Sequence, residues 1–278
     1  MKKTTPFIIA EISSNHNGSL NRLKKLIDSA KEHGADAVKI QTYDEKSMTI
    51  NLDKSYFKIK EGLWKNFNYW DLYKQAKTPY SWHKEIFSYA KKKKIICFSS
   101  PFDSNAVDML EKLNCPMYKI ASFEITDIPL IKKVAQTKKP IIISTGLSDL
   151  KEINLAYQTA KKYGAKDITL LYCVSSYPAP LNSFNLNNIL ILKKKFKCRI
   201  GFSDHSKDNT VAITASALGA DVFEKHIALK NQKKGLDIEF SLKGDELREY
   251  VEAIKKAKTL LGSSNFIRKK NEIKNIKF

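Results

Sequence analysis

Two short segments concentrate the groups that can do chemistry: Gly201-Phe-Ser-Asp-His205-Ser and, twenty-one residues beyond that histidine, Val222-Phe-Glu-Lys-His226. Each histidine closes an apolar run of strand length. Two imidazoles brought together at strand ends suit a divalent transition metal, with water and substrate oxygens completing its shell. The bland reading of His205 is a structural ring bonded to a backbone carbonyl; its pairing with His226 favours the metal.

The ends of the other apolar runs carry Glu11, Lys39 with Gln41, Ser99 with Ser100, Lys119 with Ser122 and Glu124, Ser144, Ser175 and Ser203. A single lysine in an apolar run is ordinarily a snorkelling surface residue. Its recurrence at the same end of successive strands points instead to one shared mouth. Ammonium groups and hydroxyls converging there suit an anion bearing phosphate and carboxylate, because they replace its hydration. Glu11 and Glu124 are placed to act as a base or to steady a developing cation.

The elements that must position these groups are eight apolar runs, at 7–12, 35–41, 95–99, 117–121, 140–144, 168–173, 199–203 and 221–226. Amphipathic stretches long enough for helices separate most of them, among them 20–33, 104–113 and 150–163. Strands alternating with helices pair in parallel, and eight such units predict a (β/α)8 TIM barrel with its active site at the C-terminal ends of the strands. The stretch 245–261 serves as the eighth helix and stops at Gly262. The barrel is therefore expected over 1–262, leaving 263–278 as a basic tail or linker remnant. The connection 43–79 exceeds ordinary loop length and carries Trp64, Tyr69, Trp70 and Tyr73, which predicts a substrate-covering insertion.

The chain has 278 residues and is 42% hydrophobic, enough for one large domain with a closed core. No stretch approaches the roughly 20 apolar residues of a membrane span, and two lysines lead straight into the first strand, so a soluble cytoplasmic protein is expected. Cys97, Cys115, Cys173 and Cys198 are scattered without a C-x-x-C pair, against a zinc knot or a disulfide framework. The formal charge of +20 is spread through helical segments rather than gathered into a nucleic-acid-binding face. Lys91-Lys-Lys-Lys94 and Lys193-Lys-Lys195 each close a helical stretch, where cations favour the helix dipole.

Seven segments, in order, name a family: Ile9-Ala-Glu-Ile-Ser-Ser-Asn-His-Asn-Gly18, Val38-Lys-Ile-Gln-Thr42, Phe98-Ser-Ser-Pro-Phe102, Tyr118-Lys-Ile-Ala-Ser122, Ser144-Thr-Gly146, Tyr177-Pro-Ala-Pro180 and Gly201-Phe-Ser-Asp-His205. Together they resemble the sialic-acid synthase family over residues 6 to 262. Ile59-Lys-Glu-Gly-Leu-Trp64, followed by Asp71-Leu-Tyr-Lys-Gln-Ala-Lys-Thr-Pro-Tyr-Ser-Trp-His83, is similar to the pseudaminic acid synthase branch. The resemblance implies a transferase that condenses phosphoenolpyruvate with a 2,4-diacetamido-2,4,6-trideoxy hexose, giving a nine-carbon acid of surface glycans and flagellin glycosylation. It implies phosphoenolpyruvate against Lys39, Lys119, Ser122, Ser144, Ser175 and Ser203, and a manganese or magnesium ion on His205 and His226 polarising the sugar aldehyde. It implies that Glu11 steadies an oxocarbenium ion or orients water, and that Gln41, Glu124, Tyr177 and Asp237 surround the sugar and metal.

Two departures qualify the resemblance. Sialate-type members often carry asparagine where this chain has Ser175, which alters one donor near the anion. Family members act as homodimers, with a small C-terminal antifreeze-like domain that lends an arginine to the partner's sugar pocket; this sequence ends at Phe278 and reads as a barrel without it, either a fragment or a truncated homologue of low activity. The same chemistry on other sugars would make an N-acetylneuraminate or legionaminate synthase. A synthase of octulosonate or heptulosonate phosphate would want an arginine cluster for its sugar phosphate, and Arg22, Arg199, Arg248 and Arg268 do not fall at barrel-mouth positions. A non-catalytic barrel kept for binding is opposed by the presence of Lys39, Lys119, His205 and His226.

Overall fold

The computed structural model of the chain describes residues 5–262 and 265–277. The expected N-terminal lysine pair, and Ser263, Ser264 and Phe278 of the expected tail, lie outside the described residues. Each of the eight apolar runs forms a strand: β1 (Phe7–Glu11), β2 (Ala37–Thr42), β3 (Ile96–Pro101), β4 (Tyr118–Ile120), β5 (Ile141–Ser144), β6 (Ile168–Cys173), β7 (Arg199–Asp204) and β8 (Val222–Ala228). They pair in parallel in chain order, and β1 also pairs with β8, Glu11 opposite His226, so the sheet closes into a barrel. A two-residue strand, β9 (Leu242–Lys243), adds to β8 outside that ring. Interior-facing layers and the surrounding helices bury both faces of each strand, which is why the runs read as nearly continuous Ile, Val, Leu and Phe.

The helices are α1 (Leu20–Glu32), α2 (Glu45–Met48), α3 (Tyr69–Ala76), α4 (His83–Lys92), α5 (Ser104–Lys112), α6 (Ile128–Gln136), α7 (Leu150–Lys162), α8 (Asn188–Lys195), α9 (Asn209–Ala217) and α10 (Asp245–Leu261), all but α2 and α3 wrapping the barrel. Their starts are chemically marked. Ser19, Asp103, Asp127, Asp149 and Asp208 accept first-turn N–H groups of α1, α5, α6, α7 and α9, and Asp149 completes a capping box with Glu152. Each such cap contributes about 1 kcal/mol and fixes where a strand-to-helix loop ends. Of the candidate site residues, Ser122 and Glu124 lie on the loop before α6 and His205 on the loop before α9. Among the described residues no helix is long and apolar enough to cross a membrane. A short exposed helix, α11 (Lys270–Ile273), lies within the expected tail.

The segment 43–79 holds α2 and α3 and is pinned at both ends. Lys77 Nζ donates to Asp44 at 2.7 Å and Glu45 at 2.5 Å, closing its neck. Beyond it, the buried His83 ring meets the Thr42 hydroxyl at 2.8 Å, tying α4 to β2. At the tip, Trp64 Nε1 donates to the Leu236 carbonyl at 2.9 Å, on the loop that follows β8. The insertion therefore spans the mouth of the barrel.

Candidate active site

Side chains from β1, β2, β4, β7 and β8 meet in the barrel interior. Lys39 Nζ lies 2.6 Å from Glu11 Oε2, 3.7 Å from Glu224 Oε2 and 3.3 Å from Ser100 Oγ. Lys119 Nζ reaches Glu224 Oε1 at 3.6 Å, and Ser203 Oγ donates to the same oxygen at 3.0 Å. Gln41 Nε2 donates to Glu11 Oε1 at 3.4 Å. Lys39, Lys119, Glu11 and Glu224 are all nearly inaccessible to solvent. Buried charges persist only when paired, and here two ammonium groups are matched by two carboxylates.

The charges are not equivalent. Burial would raise the Glu224 carboxyl, but Lys119 and Lys39 on either side outweigh it and hold it down at about 2. Burial pushes Glu11 up to about 7, with Glu224 adding to the rise and Lys39 opposing it. Burial likewise brings Glu124 to about 7 against the pull of Lys119 and Lys39. Two carboxyls thus titrate near neutrality beside a third that stays ionised, the separation an acid–base site needs.

A cup of hydroxyls adjoins the lysines. A Cβ on Gly146 would fall 2.2 Å from Ser175 Oγ and 2.8 Å from Ser122 Oγ, so the backbone after β5 is pressed against both. Ser144 Oγ and Glu124 Oε2 are buried without a hydrogen-bond partner. The Ser144 hydroxyl is a donor that an incoming oxyanion would satisfy, and Glu124 becomes one only when its carboxyl is protonated.

Above this cup stand the two histidines, ring centroids 5.5 Å apart. His205 Nδ1 donates to the Val174 carbonyl at 3.0 Å, which leaves Nε2 as the lone-pair nitrogen of the neutral ring. Burial favours the neutral His205 ring, but Cys173, 3.7 Å from Nδ1, and the Val174 carbonyl outweigh it and raise its proton affinity. Burial, with His205 and the lysines adding, holds His226 neutral, and its Nδ1 is buried with no partner. A buried lone pair without a donor is a fit for a cation. Among the described residues no three His, Cys, Asp or Glu side chains group as a metal site, so these rings would hold it with open positions for water or substrate.

The walls around the histidines are aromatic. Tyr177 stacks obliquely on His205 at 4.5 Å and meets Phe240 at 5.2 Å, Phe240 stands 4.8 Å from His226, and Trp64 closes over Tyr177 at 5.7 Å. Asp237 Oδ2 accepts from Ser13 Oγ and Ser14 Oγ, each at 2.6 Å, which fixes the β1 loop to the β8 loop.

The thirteen residues that the resemblance assigns to the site all lie at this mouth or on the loops facing it. The lysines, Glu11, Gln41 and Ser203 form one bonded cluster; Ser122, Ser144, Ser175 and Glu124 form its rim; the histidines, Tyr177 and Asp237 sit beneath the insertion. Three contributors went unassigned. Glu224 stands inside Val222-Phe-Glu-Lys-His226 and Gly146 closes Ser144-Thr-Gly146, but neither had a role of its own there, and Phe240 falls in none of the segments. Ser99 turns away from the mouth, its Oγ 2.6 Å from Thr42 Oγ1, leaving Ser100 to face Lys39.

With a closed parallel barrel and a charged mouth of this kind in place, comparison with known proteins defines the class: residues 26–266 match the NeuB family, and the chain belongs to it. It is 43% identical to pseudaminic acid synthase of Campylobacter jejuni over 97% of this chain and 78% of that protein. It is 44% identical to the pseudaminic acid synthase of Helicobacter pylori over 92% of this chain and 76% of that one. The crystal structure of N-acetylneuraminic acid synthetase from Leptospira borgpetersenii, in complex with citrate, superposes with a TM-score of 0.88 at 31% identity, over 99% of this chain and 91% of that chain.

Proposed function

We propose that the chain is a pseudaminic acid synthase, a transferase that joins phosphoenolpyruvate to 2,4-diacetamido-2,4,6-trideoxy-L-altrose and releases pseudaminic acid and phosphate. The observation that carries the reading is the junction of two sites: a buried lysine pair in a hydroxyl cup, and directly above it a histidine pair roofed by aromatic rings. One accepts a small trianion, the other a sugar. Similarity to the two pseudaminic acid synthases selects the sugar.

Lys39 and Lys119 neutralise the phosphate and carboxylate, with Ser122, Ser144, Ser175 and Ser203 supplying hydroxyl donors. His205 and His226 would hold a divalent ion, Mn2+ or Mg2+, which when bound polarises the sugar aldehyde. Carbon C3 of phosphoenolpyruvate forms the new bond to the aldehyde carbon, water adds at C2, and phosphate departs by cleavage of the C–O bond. Glu11, with Gln41 holding one of its oxygens, faces the anion site and steadies positive charge at C2 or takes the proton from water. Glu124 at the rim is the group to give a proton to the new hydroxyl. Tyr177 and Asp237 frame the sugar, and Trp64 excludes water above it. Phosphoenolpyruvate is a cytoplasmic metabolite, so the reaction belongs to the cytoplasm.

The test is direct. The protein with Mn2+ and phosphoenolpyruvate is offered the altrose-configured diacetamido sugar, its manno-configured counterpart and N-acetylmannosamine, with products read by mass spectrometry and phosphate release. Turnover of the first sugar in preference to the others is expected. Preference for either of the others reassigns the chain to legionaminate or N-acetylneuraminate synthesis, and no phosphate release with any of them overturns the reading.

A further inference from the structure

Strand alternation that turns Ser203 and Glu224 into the barrel turns Asp204 and Lys225 out of it, beneath α10. Both are buried charges, and neither touches the anion site. Lys225 Nζ stands 3.6 Å from Asp204 Oδ1 and 6.0 Å from the centre of the Tyr250 ring of α10. What they hold is the residue after the first histidine. Asp204 Oδ1 accepts the Ser206 N–H at 2.8 Å, and Lys225 Nζ donates to the Ser206 carbonyl. The peptide groups on both sides of Ser206 are therefore gripped by one ion pair.

His205 is enclosed by this grip. Its own carbonyl accepts Ala179 N–H at 3.0 Å, and its ring is aimed by the Val174 carbonyl. The chain leaves β7 at Asp204, is caught again at Ser206, and has no freedom to turn between them. On β8, Lys225 immediately precedes His226, and Asp204 is its register partner. Each histidine thus has one member of the pair as its preceding neighbour. A buried ion pair contributes little net stability compared with apolar residues of the same volume, so stability alone does not explain it.

We propose that Asp204 and Lys225 are positioning residues for the metal site: through Ser206 they set the separation and aim of His205 and His226 before any ion arrives. This rests on the two-histidine reading of the site. Outer-shell groups that fix ligands typically contribute 10- to 100-fold in metal affinity.

The experiment compares the metal-stripped wild type with the double variant Asp204→Asn/Lys225→Met, in which neither charge is left alone. Asparagine retains an acceptor for the Ser206 N–H, and methionine fills the space but offers no donor to the Ser206 carbonyl. Thermal unfolding reports the fold, and calorimetric titration with Mn2+ reports the site. We expect a cooperative transition in both proteins and Mn2+ affinity weaker by about tenfold or more in the variant. Equal Mn2+ affinity in the two overturns the proposal and leaves the pair a packing feature. A wild type that takes up no Mn2+ overturns the two-histidine reading instead. Should the variant not fold, amide hydrogen exchange of the metal-free wild type decides: Ser206 N–H exchanging as slowly as the strand amides supports the grip, and exchange at exposed-loop rates overturns it.

Discussion

Lys39 and Glu11 form a buried ion pair, 2.6 Å between Nζ and Oε2, at the point where the anion is proposed to bind. Phosphoenolpyruvate must compete with Glu11 for Lys39, while Lys119 meets Glu224 at the longer distance of 3.6 Å. Both ammonium groups are poised to change partners.

Lys39→Met and Lys119→Met are each expected to weaken phosphoenolpyruvate binding by about 1.5–3 kcal/mol, the value of a hydrogen bond to a charged group. Each also leaves a carboxylate short of its counter-charge, so some loss of melting temperature accompanies it. Calorimetry on the folded variants separates the two effects. Unchanged affinity in both would return the lysines to a structural role.

Chelation should abolish condensation and Mn2+ should restore it. His205→Ala and His226→Ala should remain folded and lose the metal-dependent rate, because neither ring bonds a structural partner that cannot be replaced by water. Undiminished turnover in either variant removes that ring from the site.

The barrel was legible because its strands are buried on both faces and end in polar groups, so apolar runs mark them within a few residues. The amphipathic stretches 20–33, 104–113 and 150–163 marked three of the helices, whose starts the structure shows capped by Ser19, Asp103 and Asp149. What the chain order hides is convergence. Glu224 lies between Lys39 and Lys119 only once β2, β4 and β8 close around the same axis. Ser99 and Ser100 are equal candidates until strand alternation sends one toward Thr42 and the other toward Lys39. The bond from Trp64 to Leu236 spans 172 residues, and nothing local encodes it. Two-residue β9 carries too little pattern to be read.

Trp64 closes the insertion onto the opposite loop and onto Tyr177. Trp64→Ala removes both contacts while leaving the lysine cluster intact. The KM for the sugar should rise by roughly ten- to a hundredfold, as expected when a positioning wall is lost. Phosphoenolpyruvate affinity should stay the same. An equal loss for both substrates would mean that the insertion holds up the whole mouth rather than the sugar side.

The last prediction concerns pH. Glu124 and Glu11 have ordinary values of 4.5 and are raised to about 7 in the fold. Between those limits the folded protein binds protons that the unfolded chain has released, so the stability these groups contribute is full below about 4.5 and is lost as pH climbs through 7. His16 and His83, lowered from 6.5 to about 4 chiefly by burial, act in the opposite sense over much of the same window. The absolute profile of the wild type is therefore a sum of opposing slopes, and the difference between proteins is the informative quantity. Glu124→Gln, and separately Glu11→Gln, should make the change in unfolding free energy from pH 5 to pH 7 more positive than in the wild type, by up to about 1.4 kcal/mol per pH unit for each proton removed. Urea denaturation at the two pH values measures it. Parallel profiles for wild type and Glu124→Gln would show that this carboxyl titrates as an ordinary surface group and is no candidate for the proton donor.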